Sequence, residues 1–113
     1  MTIEEYSAQA ITTLSDNHGI TDLDAALISQ VYGLVEESGE VAGKFKKLIR
    51  DKNGTLTEED KKEILKELGD VLWYVNSVTT LLGSNLADVA QNNLDKLASR
   101  KDRGVLSGSG DNR

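Results

Sequence analysis

A chain of 113 residues and 12.3 kDa holds one domain, and it buries only about two-thirds of the surface that its unfolded form exposes. With no Cys and one His, it has no disulfide framework, no thiolate metal site, no Cys nucleophile and no His-rich metal centre. Nineteen acidic residues against thirteen basic ones give a net charge of −6, which argues against non-specific contact with nucleic acid or an anionic membrane. No apolar run approaches the roughly 20 residues that span a bilayer. The opening MTIEEYSAQA is acidic where a signal peptide is basic and then apolar. The expectation is a soluble, cytoplasmic protein.

Ordinary usage would supply about five or six prolines, and there are none. Proline breaks helices, so its absence permits long ones. With aromatics at 4 % and Leu, Ala, Glu, Lys and Asp dominant, the composition reads as all-α. In chain order, Thr2 followed by Glu5 forms a capping-box pattern that opens a helix to about Ser15. Asp16-Asn17-His18-Gly19 stops it, with Gly19 as a left-handed cap and His18 expected exposed at the helix end. Asp22 is read as the cap of a second helix that continues to about Arg50, and Lys52-Asn53-Gly54 is a turn signal. Thr57 with Asp60 opens a third helix to about Leu82, ended by Gly83. Ser84 is read as the cap of a fourth, from Asn85 to about Arg103. Residues 1–103 then form the helical domain, and 104–113 an irregular Gly/Ser-rich tail.

The two long helices carry apolar seams. Leu27, Val31, Leu34, Val41, Phe45 and Leu48 recur at steps of four and three, with Ser38 filling one gap. Ile64, Leu68, Val71, Val75, Val78 and Leu82 do the same. Both seams are read as core, suited to nearly parallel or antiparallel helices. One residue earlier runs a second stripe: Gln30, Gly33, Glu37, Glu40 and Lys44 on one helix, Glu63, Glu67, Asp70, Tyr74 and Ser77 on the other. Residues three or four apart share a helix face, so Glu37 and Glu40 point the same way, as do Glu67 and Asp70. If the helices pack antiparallel, the two pairs can face each other.

Four carboxylates held close repel, and some are forced neutral unless a hard cation joins them. Mg²⁺ takes oxygen ligands and keeps several waters, which leaves positions for phosphate oxygens. A solvated acidic face is the competing reading of either Glu-x-x-Glu/Asp motif alone. A di-iron bundle is excluded, because it needs Glu-x-x-His on two helices and His18 has no Glu three residues before it.

The run Gly33-Leu34-Val35-Glu36-Glu37-Ser38-Gly39-Glu40-Val41, followed by Lys66-Glu67-Leu68-Gly69-Asp70-Val71-Leu72-Trp73-Tyr74, resembles the MazG family of nucleotide pyrophosphohydrolases. Asn93-Leu94-Asp95-Lys96-Leu97, Arg100 and Arg103-Gly104 continue the resemblance. The tail GVLSGSGDNR looks like the ending of a small single-domain branch. The resemblance implies an all-α enzyme that splits nucleoside triphosphates between the α and β phosphates. It would bind Mg²⁺, with Mn²⁺ as a substitute, through Glu37, Glu40, Glu67 and Asp70. It would act as a homodimer or homotetramer, serving to cleanse or limit the nucleotide pool. Glu36 or Glu37 would orient or deprotonate the water.

Lys96 and Arg100, one turn apart and flanked by Asn93 and Arg103, are candidates to grip the outer phosphates. The alternative is a basic last turn that complements the helix dipole. Lys44 is either a phosphate contact or a paired surface residue. Tyr74 is placed at the border of the nucleotide pocket, and Trp73 in the core. Asp111, Asn112 and Arg113 either cover a neighbouring active site or fray. The fold expected is a four-helix bundle-like protomer with two long antiparallel helices, oligomeric because Leu23, Val35, Ala42, Ile49, Leu72 and Leu81 extend the apolar surface beyond the seams. The rival to the enzyme is a non-catalytic helical interaction module. A nucleic-acid-binding bundle is disfavoured by the charge.

Overall fold

The computed structural model describes residues 1–13 and 23–113. Helix α1 spans Ile3–Ala10 and passes into a 3₁₀ turn at Ile11–Thr13; α2 spans Ala25–Lys52, α3 Glu58–Leu81 and α4 Leu86–Asp102. Among the described residues there is no strand, and no helix is long and apolar enough to cross a membrane. The expected caps at Gly19 and Asp22, the exposure of His18 and the first helix's end at Ser15 lie outside the described residues.

Local chemistry sets the helix ends. Thr2 and Glu5 exchange side-chain and backbone hydrogen bonds, as do Thr57 and Asp60, so both capping boxes form. Asp60 also accepts from Lys52 Nζ at 2.7 Å, and this hydrogen bond and those from Thr57 pull its pKa down to about 2. Helix α2 is capped by Asp24, which accepts from the Leu27 amide at 2.8 Å. It ends at Asn53, in the left-handed region at φ 51°. The cap of α4 is Asn85, which accepts from the Asp88 amide at 2.9 Å, rather than Ser84. Ser84 belongs to the end of α3: its amide reaches Thr79 O at 3.1 Å while that of Gly83 reaches Thr80 O at 3.0 Å, the paired closure of a Schellman motif.

Helices α2 and α3 pack along their length and α4 packs against α3, whereas α1 packs against none of these three. Among the described residues, therefore, the expected four-helix bundle is not closed by α1. Eight residues with none buried leave α1 dependent on its own caps.

Contacts between α2 and α3 fall on the stripe beside the seams. Ser77 Oγ donates to Gln30 Oε1 at 2.8 Å, Lys44 Nζ lies 3.2 Å from Glu67, and the Tyr74 ring covers Gly33. Of the seams read as core, only Leu48 and Ile64 are buried. Leu27, Leu34, Val41, Val71, Val75 and Val78 are half-buried, and Val31, Phe45, Leu68 and Leu82 are exposed. The seams themselves are buried only toward the connecting turn, at Leu48 and Ile64. The expected surplus is exposed as well: Leu23, Val35, Ala42, Ile49, Leu72 and Leu81 all face outward.

Candidate active site

The stripe beside the seams brings acidic residues of the two helices together. Glu37 from α2 meets Glu67 and Asp70 from α3, with carboxylate oxygens that lie within 4.8 Å of one another. Glu67 and Asp70 share a face because they are three apart. Glu37 and Glu67 are half-buried and Asp70 is exposed. Glu40, one turn further along α2, is exposed and stands outside this group. Partial burial, followed by repulsion from Asp70, Glu36, Glu67 and Glu40, raises the Glu37 pKa above its ordinary 4.5. Lys44 supplies a counter-charge at the Glu67 end of the group.

Beside the carboxylates opens a cleft of about 360 Å³ lined by Glu37, Asp70, Trp73 and Tyr74. Trp73 was expected in the core. It is 58 % exposed, its ring set edge-on to Tyr74 with centroids 4.9 Å apart. Tyr74, its neighbour in sequence, takes the close contact with α2 at Gly33. Tyr74 also walls a second cleft of about 510 Å³, lined by Ala25, Ile28, Ser29, Tyr32, Gly33, Glu36 and Tyr74 itself. Glu36 and Glu37, both read as water-activating, thus fall in separate clefts.

The donor set fits a hard divalent cation. At a Mg–O distance of about 2.1 Å, neighbouring octahedral ligands stand about 3 Å apart and opposite ones about 4.2 Å.

The basic residues of α4 form a separate group. Asn93 is exposed, and no hydrogen bond or ion pair among the described residues joins Lys96, Arg100 or Arg103 to the carboxylate cluster. Lys96 Nζ lies 3.0 Å from Asp111 Oδ1. Arg100 is buried, and its Nη2 donates to the Asp111 carbonyl and carboxylate. Arg103 donates to Ser99 Oγ at 3.2 Å and to the Arg113 carbonyl at 3.0 Å. Sequence reasoning missed the Gly33–Tyr74 contact and the Asp111 partnership. The first had a signal, since Gly33 and Tyr74 stand in the two stripes one turn from the acidic pairs.

These features define an all-α protein with an acidic cluster at the contact of its two longest helices and an aromatic-walled cleft beside it. A sequence profile of the MazG nucleotide pyrophosphohydrolase domain matches residues 27–105, a span holding every residue of that cluster, and the chain belongs to this family. It is also 47 % identical over 106 residues to the Gene 37 protein of Mycobacterium phage L5, a match that covers 94 % of this chain and 93 % of that one. No solved structure matches the chain. Family membership implies nucleotide pyrophosphohydrolase chemistry.

Proposed function

We propose that the chain hydrolyses (deoxy)nucleoside triphosphates at the α–β phosphoanhydride, releasing the monophosphate and pyrophosphate, in a Mg²⁺-dependent reaction that cleanses or limits the cytoplasmic nucleotide pool. The observation that carries this reading is the convergence of Glu37, Glu67 and Asp70 beside an open aromatic cleft in a MazG chain. These three carboxylates, with Glu40 from the next turn, are the residues assigned to hold the cation. A bound Mg²⁺, or Mn²⁺ in its place, neutralises phosphate charge and acidifies water. Glu37 is assigned to take the proton of the attacking water, because it alone of the two candidates lies in the cluster. Tyr74 and Trp73 border the nucleotide, and Lys44, Asn93, Lys96 and Arg103 are the polar groups offered to it. Incubation with a panel of dNTPs and NTPs plus Mg²⁺ tests the reading directly. Monophosphate and pyrophosphate in equal amounts are expected; no pyrophosphate from any nucleotide would leave the interaction module.

The α2–α3 pair is read as a long antiparallel hairpin, because its contacts run from Gln30–Ser77 through Lys44–Glu67 to Lys52–Asp60. The working unit is read as a homodimer or homotetramer. The chain exposes 8981 Å², against roughly 6,100 Å² for a compact monomer of its mass. The surplus of about 2,900 Å² exceeds what one obligate interface usually takes from each partner. The half-exposed seams are the surface expected to be covered. Light scattering at micromolar concentration should give a mass at least twice 12.3 kDa; an active particle of single-chain mass would refute the assembly.

A further inference from the structure

Residues 104–113 contain no helix, yet they close into a tied loop against the end of α4. Gly104, at φ 68°, turns the chain out of the helix, with its amide on Lys101 O and that of Val105 on Arg100 O. The Arg113 guanidinium then donates to three carbonyls of the same loop, those of Val105, Leu106 and Gly110. Gly108, at φ 119°, lets the Arg113 stem pass: a Cβ there would stand 3.3 Å from Arg113 Cδ. The Arg113 carbonyl accepts from Arg103. These ties deliver Asp111 to the face of α4 that carries Lys96 and Arg100.

Its two cationic partners differ in exposure. The Arg100 side chain is 7 % exposed, and Asp111 accepts all the hydrogen bonds its guanidinium makes among the described residues; Nε has no partner. Lys96 keeps 39 % of its side chain in solvent while its ammonium shares the Asp111 Oδ1 atom with Arg100. A buried guanidinium stripped of its acceptor is strongly destabilising. Two cations one turn apart also repel unless an anion lies between them.

Resting on the pyrophosphohydrolase reading, we propose that Asp111 is a positioning residue for the phosphate grip on α4. Its carboxylate neutralises buried Arg100 and fixes the exposed Lys96 ammonium, which meets the outer phosphates. Arg100, expected from sequence to touch phosphate, acts through this pairing.

Calorimetric binding of inorganic triphosphate, with Mg²⁺ present, to the full-length protein tests the proposal alongside steady-state turnover. Asp111→Asn keeps a side-chain acceptor for Arg100 and removes the charge; Asp111→Ala removes both and leaves Arg100 the backbone carbonyl of residue 111. Each is expected to weaken triphosphate binding roughly tenfold and to raise KM similarly, with kcat changed less than about threefold. Asp111→Glu should restore most of the affinity. In a Lys96→Ala background, Asp111→Asn should add little further loss, because it acts through Lys96. Unchanged or tighter binding in Asp111→Asn would overturn the proposal, tighter binding marking Asp111 as a placeholder that substrate displaces. An equal loss in both backgrounds, or no triphosphate binding by the wild type, would overturn it too. A wild type that binds triphosphate but turns over no nucleotide refutes the enzyme reading alone, and the binding comparison still decides the role of Asp111.

Discussion

Glu37→Gln, Glu67→Gln and Asp70→Asn are each expected to lower kcat roughly a hundredfold or more, about 2.7 kcal/mol of transition-state stabilisation, while the protein stays folded. The changes at Glu37 and Asp70 should make the metal-free protein no less stable, because three carboxylates within 4.8 Å of one another repel; Glu67→Gln also gives up the Lys44 ion pair. Added Mg²⁺ should raise the melting temperature of the wild type and raise that of the variants less, since a ligand that binds only the folded state stabilises it. Glu40→Gln measures the reach of the site. A loss as large as at Glu37 would draw this exposed residue into the cation shell, and a small loss would confine the shell to the observed group.

pH separates the groups involved. Burial and the neighbouring carboxylates raise the Glu37 pKa in the folded protein, so the native state holds this proton more tightly than the unfolded chain does. The stability that results is fully present below the unfolded value of 4.5 and is lost as pH rises through the higher folded value. Metal-free wild type should therefore melt higher near pH 4.5 than near pH 7 on this account, and Glu37→Gln should flatten that slope. Asp60 works in the opposite sense, its contribution present above 3.8 and lost as pH falls toward about 2. The two windows do not overlap. A wild type with no Mg²⁺ response, or variants that respond as fully as it does, would count against the cation site.

The helices and the shared face of Glu67 and Asp70 were legible in the sequence because both follow from local rules; the meeting of Glu37 with that pair was expected only if the helices pack antiparallel, and Glu40, expected beside Glu37, stands outside the group. Capping chemistry at Thr2, Thr57 and Asn53-Gly54 marks helix ends, and a spacing of three or four defines a face. Which face meets which partner was not legible. Apolar periodicity says that a stripe is covered, not by what, and in one chain most of each seam on α2 and α3 stays half-buried or exposed. Trp73 was misplaced for that reason. Arg100 looked like a ligand-facing residue because its partner, Asp111, lies beyond three residues in left-handed conformations, at Gly104, Gly108 and Gly110. Helical spacing carries no information across such a turn.

Gly33→Ala should be the most damaging single methyl added to the long helices. A Cβ at Gly33 would stand 2.8 Å from Tyr74 Cδ1, with Cε1 and Cζ nearer still, whereas carbon atoms pack at about 3.5–4.0 Å. The ring must move by more than an ångström or the helices must part. Overpacking of this kind costs about 1–3 kcal/mol, partly offset by the roughly 1 kcal/mol that Ala gains over Gly within a helix. Because the Tyr74 ring is set edge-on to Trp73 and walls both clefts, its displacement also reshapes the space beside Glu37 and Asp70. The expected result is a lower melting temperature with kcat/KM reduced about tenfold or more, equivalent to at least roughly 1.4 kcal/mol. Gly39→Ala is the comparison, since nothing lies within 4 Å of a Cβ there; it should stabilise by up to about 1 kcal/mol. Tyr74→Ala in the Gly33→Ala background removes the clash and should cost less stability than the two single changes summed. If Gly33→Ala instead melts above wild type, as Gly39→Ala should, with an unaltered KM, then Tyr74 does not rest on Gly33 in solution, and neither cleft has the wall described for it.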